Sequence, residues 1–88
     1  MSDFIHRREY LEEGDIAVLD CDTQCNFLLL DDLNFSAYRS RRSYRYHGGF
    51  FRRFPARIVA PHSGHWNLVL DLGGGRATIR YGMSVIKG

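Results

Sequence analysis

The sequence predicts an all-β protein: a single-domain sandwich, jelly-roll-like, of seven or eight short, mostly antiparallel strands with at most one short helical segment. Two patterns carry this expectation. Apolar and polar residues alternate with a period of two along most of the chain, as they do in strands buried on one face. Turn signals recur roughly every eight to twelve residues, the spacing of sandwiches and barrels. Length sets the scale: 88 residues make one domain, 1–88. A chain of that size buries roughly 60–65% of its unfolded surface, enough for one thin core.

The opening "FIHRREYL" alternates weakly and reads as an edge strand. Gly14-Asp15 ends it. In "DIAVLDC" (15–21), Ile16 and Val18 alternate with Ala17, Leu19 and Cys21. Asp22, Thr23 and Gln24 read as a short hairpin connection. "NFLLLD" (26–31) is an apolar run suited to a central strand. In "DDLNFSAYRSRR" (31–42), Asp31 or Asp32 can cap a helix N-terminus. Leu33, Phe35 and Tyr38 give no long apolar stripe, so one or two turns are expected. If "YRYHGGFF" is a strand, Tyr44 and Tyr46 share one face and Arg45 and His47 the other, with Gly48-Gly49 a turn or bulge. "ARIVA" (56–60) is a short strand ended by Pro61. In "HWNLVLDL" (65–72), Trp66, Leu68, Leu70 and Leu72 point one way, and His65, Asn67, Val69 and Asp71 the other. "GGG" (73–75) reads as a hairpin turn into "RATIRYGMSVIK" (76–87), since consecutive glycines supply positive φ. The expected core is Trp66, Leu68, Leu70, Ile79, Tyr81, Val18, Phe27 and Leu29.

The formal charge of +2 hides a split. Residues 1–37 carry nine acids and two arginines, a balance of −7; residues 38–88 carry nine arginines, one lysine and one acid, a balance of +9. Both halves must share one core, so their charges are expected to face each other and largely cancel. No apolar run of eighteen residues is present, which excludes a membrane-spanning helix. The N-terminus has no apolar stretch of the secretory type, so a cytoplasmic protein is expected. Cys21 and Cys25, four apart, do not have redox-motif spacing and read as reduced, buried thiols.

Functional interest falls on residues 39–54, "RSRRSYRYHGGFFRRF": six arginines and five aromatics without a carboxylate. Arginine neutralises phosphates and aromatic faces stack unpaired bases. Arg and Tyr are also favoured at interface hot spots. The candidate binding residues are Tyr38, Arg41, Arg42, Tyr44, Arg45, Arg52 and Arg53, with His62 and His65 alongside. No catalytic site is read. Ser63 lacks the G-x-S-x-G context of a nucleophile. Gly73 to Arg76 precedes a strand, not the helix a phosphate loop needs. Asp31 and Asp32 are neighbours, which point apart on a strand. His62 and His65 are imidazole donors three apart, but a pair is not a metal site, and the sequence places no third ligand from His47, Asp71 or a cysteine. Neither metal nor cofactor is expected. The expected function is a non-enzymatic binding or sensing module for an unidentified protein, polyanion or small signalling molecule. Two alternatives stand beside it: nucleic-acid or polyanion binding through the Arg/aromatic segment 38–57, and self-association into a homo-oligomer through a sheet edge.

Four segments together resemble a known family. They are Asp-x-x-Asn-aromatic-x-x-Tyr (Asp31 to Tyr38, with Asn34 at its centre), Tyr-x-Gly-Gly (Tyr46 to Gly49), Pro-His-Ser-Gly-His-Trp (Pro61 to Trp66) and Asp-Leu-Gly-Gly (Asp71 to Gly74). In combination they resemble a small bacterial domain family of unknown function, found alone or attached to TIR signalling domains. The resemblance runs nearly the full length, loosest at the acidic N-terminus. It implies an all-β sandwich and a sensing or adaptor role in bacterial signalling or defence. It supplies no catalytic residues to carry over.

Overall fold

A computed structural model describes residues 4–72 and 79–88. Its elements are β1 (Phe4–Leu11), β2 (Ile16–Cys21), β3 (Cys25–Asp31), α1 (Asp32–Arg39), β4 (His47–Phe51), β5 (Ala56–Val59), β6 (Gly64–Asp71) and β7 (Tyr81–Ile86). They form two antiparallel sheets, a four-stranded one in the order β1-β6-β3-β4 and a three-stranded one in the order β5-β2-β7. The architecture is the all-β sandwich expected. No helix among the described residues is long and apolar enough to cross a membrane.

The core between the sheets follows the period-two pattern. Phe27 and Leu29 from β3, Trp66, Leu68 and Leu70 from β6, and Ala17 and Leu19 from β2 all point inward and are buried. Ile79 packs against this cluster. Val18 is buried but sits outside the cluster, since it alternates with Ala17 and Leu19. Tyr81 departs from expectation: it is 46% exposed, at the start of an edge strand.

Connectivity differs from the sequence reading in two places. Asp22 to Gln24 do not close a hairpin, because β2 and β3 lie in different sheets. The chain crosses the core there, and Cys21 and Cys25 both meet the inner cluster as free thiols. The glycines 73–75, with residues 76–78, lie outside the described residues. The strands on either side of them are not paired: β6 bonds to β1 and β3, and β7 bonds to β2. Only the β3–α1–β4 connection stays within one sheet.

That connection places the helix. Asp31 is the N-cap, its Oδ1 accepting the Asn34 backbone N–H at 2.7 Å, which satisfies a donor the helix start would leave open. The C-terminus closes as a Schellman motif: Arg41 N–H donates to the Tyr38 carbonyl and Arg42 N–H to the Ala37 carbonyl, with Arg41 at φ +57°. The helix lies on the outer face of the four-stranded sheet. There Phe35 joins Leu28, Leu30 and Val69 in a second apolar cluster, flanked by Phe4, Tyr38 and Tyr44. This is why both faces of β6 are buried, although alternation alone assigns one to solvent. Asn67, 1% exposed on that outer face, keeps its polar groups bonded: its Oδ1 meets His6 Nε2, and its Nδ2 donates to the Leu30 carbonyl and to Asp32.

Candidate ligand-binding cleft

A cleft of about 630 Å³ opens at one end of the sandwich. The register explains its position. Asp31 pairs with Trp66, and Leu29 with His47, so the end of β3 and the starts of β4 and β6 meet there. Leu29 and Trp66 form an apolar floor continuous with the core. The walls come from two loops: residues 40–46, which supply Tyr44, Arg45 and Tyr46, and residues 60–63, which supply His62.

Local hydrogen bonds hold each wall. Asn34, in the first turn of α1, is the clamp of the first loop: its Nδ2 donates to Asp31 Oδ1 at 2.9 Å, and its Oδ1 accepts the Arg45 N–H at 2.8 Å. The second loop is held by Trp66, whose indole N–H donates to the His62 carbonyl at 3.1 Å. The His62 ring sits 4.8 Å from the Trp66 ring, and His47 lies edge-on to it at 5.8 Å. Gly48 lets β4 come close enough to place His47. At φ +101°, a Cβ there would meet the Phe27 carbonyl oxygen at 2.3 Å and Ile58 Cδ1 at 2.6 Å.

The structure brings three of the nine sequence-selected residues to this cleft: Tyr44, Arg45 and His62. Tyr38 is half-buried against Phe4, Phe35 and Tyr44, and its hydroxyl donates to Asp71, so it anchors the helix; burial and that bond push its phenol pKa up. Arg41 and Arg42 close the helix C-terminus through their backbones and expose their side chains. Arg52 and Arg53 follow β4 at its far end, about 16 Å along the strand from His47. His65 packs edge-on to Tyr10 at 5.3 Å, while His62 turns to Trp66. The arginine-rich segment is therefore divided between the two ends of β4.

Its charges are also not cancelled as the split between the halves suggested. The ion pairs among the described residues are Arg7–Glu9, Arg8–Asp32 and Lys87–Asp15. None involves an arginine of residues 38–57, and the two carboxylates that begin the helix are engaged elsewhere: Asp31 caps the helix and Asp32 takes Arg8 in a bidentate pair. The Arg8 guanidinium and then Asn67 hold the Asp32 carboxyl well below the usual range. Arg39 and Arg52 lie instead near the rings of Phe35 and Phe50.

Sequence reasoning passed over Asp31, Asn34, Tyr46, His47 and Trp66 as site residues. Two signals were present. Asp-x-x-Asn at a helix start places an amide where it can reach a following loop, and Tyr46-His47 directly continue Tyr44-Arg45. Among the described residues no three His, Cys, Asp or Glu side chains stand close enough together to hold a metal ion.

Residues 2–87 match a family model described as Domain of unknown function (DUF1883). No curated protein and no solved structure matches the chain.

Proposed function

Because the chain belongs to this domain family of unknown function, its role must come from its own residues, and we propose that it is a non-enzymatic binding module that takes a small ligand in the end cleft. One observation carries the reading: an apolar floor, walls that carry Tyr44, Tyr46 and His62, and convergent polar groups meet in a single concavity of ligand size. A binding role is favoured over catalysis because two groups that could react are engaged elsewhere. The Ser63 hydroxyl accepts the Glu13 N–H, and Asp31 caps the helix. The two free thiols suit a reducing compartment, the bacterial cytoplasm in this reading.

The test is a small-molecule library screened by amide chemical shifts, with fluorescence of the single tryptophan as a second reporter. Hits should perturb Asn34, residues 44–47 and His62, and Tyr46→Ala should weaken them. Hits mapping to Arg52 and Arg53, or none from a diverse library, would overturn the assignment.

Two other readings each have an observation in their favour. Arg41, Arg42 and Arg45 lack a carboxylate partner among the described residues, which suits a polyanion. Oligonucleotide affinity that falls steeply with salt, and again in Arg41→Ala/Arg42→Ala, would support that reading; no binding at low salt would remove it. β7 is an edge strand whose sequence, YGMSVI, carries no charge, and such edges invite self-pairing. A constant monomer mass across the micromolar range would exclude it.

A further inference from the structure

The cleft's chemistry narrows its ligand, and this inference rests on the cleft being the binding site. The rings around the floor are not stacked flat on one another. Tyr44 and Tyr46 are 5.7 Å apart and tilted by 47°; His62 and Trp66 are 4.8 Å apart and tilted by 44°. The Tyr46 ring is 48% exposed. Tyr46 thus leaves ring surface uncovered at the mouth of the cleft, above a floor whose Leu29 and Trp66 are closed into the core, and a flat ring is the shape that covers it.

The polar groups are unbalanced in sign. Asp31 is the one carboxylate in the cleft, and its Oδ1 already accepts both the backbone N–H and the side-chain amide of Asn34. It also faces the positive end of α1, which offsets its charge. Arg45 enters the cleft with no carboxylate partner among the described residues, its backbone held by Asn34 and its side chain exposed. Beside it stand two imidazoles, His47 and His62, each able to donate. A cationic ligand would find the acid occupied and a guanidinium at the rim. An anionic group would find a planar donor fork. The volume suits one ring with one such group, not a polymer.

We propose that the cleft binds an aromatic anion: a planar ring against Tyr44 and Tyr46, with its phosphate or carboxylate at Arg45. Phosphate and carboxylate present the same paired oxygens, so the experiment separates them. The intact chain is titrated with adenosine 5′-monophosphate and adenosine, indole-3-acetate and indole, and inorganic phosphate, following Trp66 fluorescence and amide shifts. In at least one pair the charged member should bind about tenfold more tightly than its neutral partner, as a charge-assisted contact gives. The pair showing the preference identifies the anionic group. Arg45→Ala should erase the preference while leaving weak ring binding, and Tyr46→Ala should weaken both members. Both side chains are exposed, so both variants should keep the fold.

Equal binding of charged and neutral members in the cleft would overturn the aromatic-anion assignment while leaving the cleft as the site. So would inorganic phosphate binding as tightly as the nucleotide, because the ring would then not be read. Failure of every probe to bind there would overturn this assignment, and the broader library screen separately decides whether the cleft binds anything.

Discussion

Asn34→Ala isolates the clamp on which the cleft depends. The substitution removes two hydrogen bonds, Asn34 Nδ2 to Asp31 and Arg45 N–H to Asn34 Oδ1, and keeps the cap bond from the Asn34 backbone. At about 1 kcal/mol net for each bond, the loss is about 2 kcal/mol. Alanine returns about 0.5 kcal/mol as the better helix former. The expected net destabilisation is therefore about 1.5 kcal/mol, or roughly 6–12 °C in Tm for a domain of this length. The local effect should exceed the global one. The 40–46 loop contains no strand or helix of its own, so its order depends on such contacts. Urea unfolding measures the global term, and hydrogen exchange at the Arg45 amide measures the local one. An unchanged midpoint together with unchanged Arg45 exchange would refute the clamp. Loss of stability without faster exchange at Arg45 would show that Asn34 serves the helix alone.

The remaining predictions concern the fold around the cleft. Trp66→Ala should cost about 3–5 kcal/mol, since it empties a fully packed position, and unchanged thermal stability would refute its core role. Arg41→Gly should stabilise the protein by about 0.5–1 kcal/mol: the left-handed conformation costs a side-chain-bearing residue 1–2 kcal/mol, partly offset by glycine's greater unfolded freedom. A lower urea midpoint would contradict that. Buried Asp15 binds the Gly88 N–H, the Glu12 N–H and Lys87, and these hold its carboxyl below its usual 3.8. A depressed acid stabilises fully above its usual value and loses that contribution as pH falls toward its folded value, so stability should drop below about pH 4. Asp15→Asn should flatten that drop, and an identical slope would argue against the linkage. Burial, and then the adjacent Cys21, push the Cys25 thiol up to about 12. Iodoacetamide at pH 8 should therefore modify native protein once, at Cys21, with Cys25 reacting only after unfolding; peptide mass mapping decides.

Local chemistry was legible from the residues alone. Alternation in 65–72 identified the inward face of β6, and the apolar run at 26–31 identified a central strand; in 15–21 it separated two faces but pointed to Val18, where the structure turns Ala17 and Leu19 inward. The pair Asp31-Asp32 marked the helix start, and the structure makes Asp31 the cap. These features depend on a residue and its near neighbours, through backbone geometry and capping. What each buried face packs against depends on contacts far apart in sequence, and only the tertiary structure decided that. It sent β2 and β3 to opposite sheets, laid α1 over the outer face of β6, and left Tyr81 at an edge. It also divided an arginine-rich segment that reads as one unit: β4 lies between Arg45 and Arg52, which therefore emerge at opposite ends of that strand. The cleft has the same origin. Asp31, Tyr44, His62 and Trp66 meet because antiparallel pairing brings the end of one strand beside the start of the next, and a period-two pattern does not encode which strands those are.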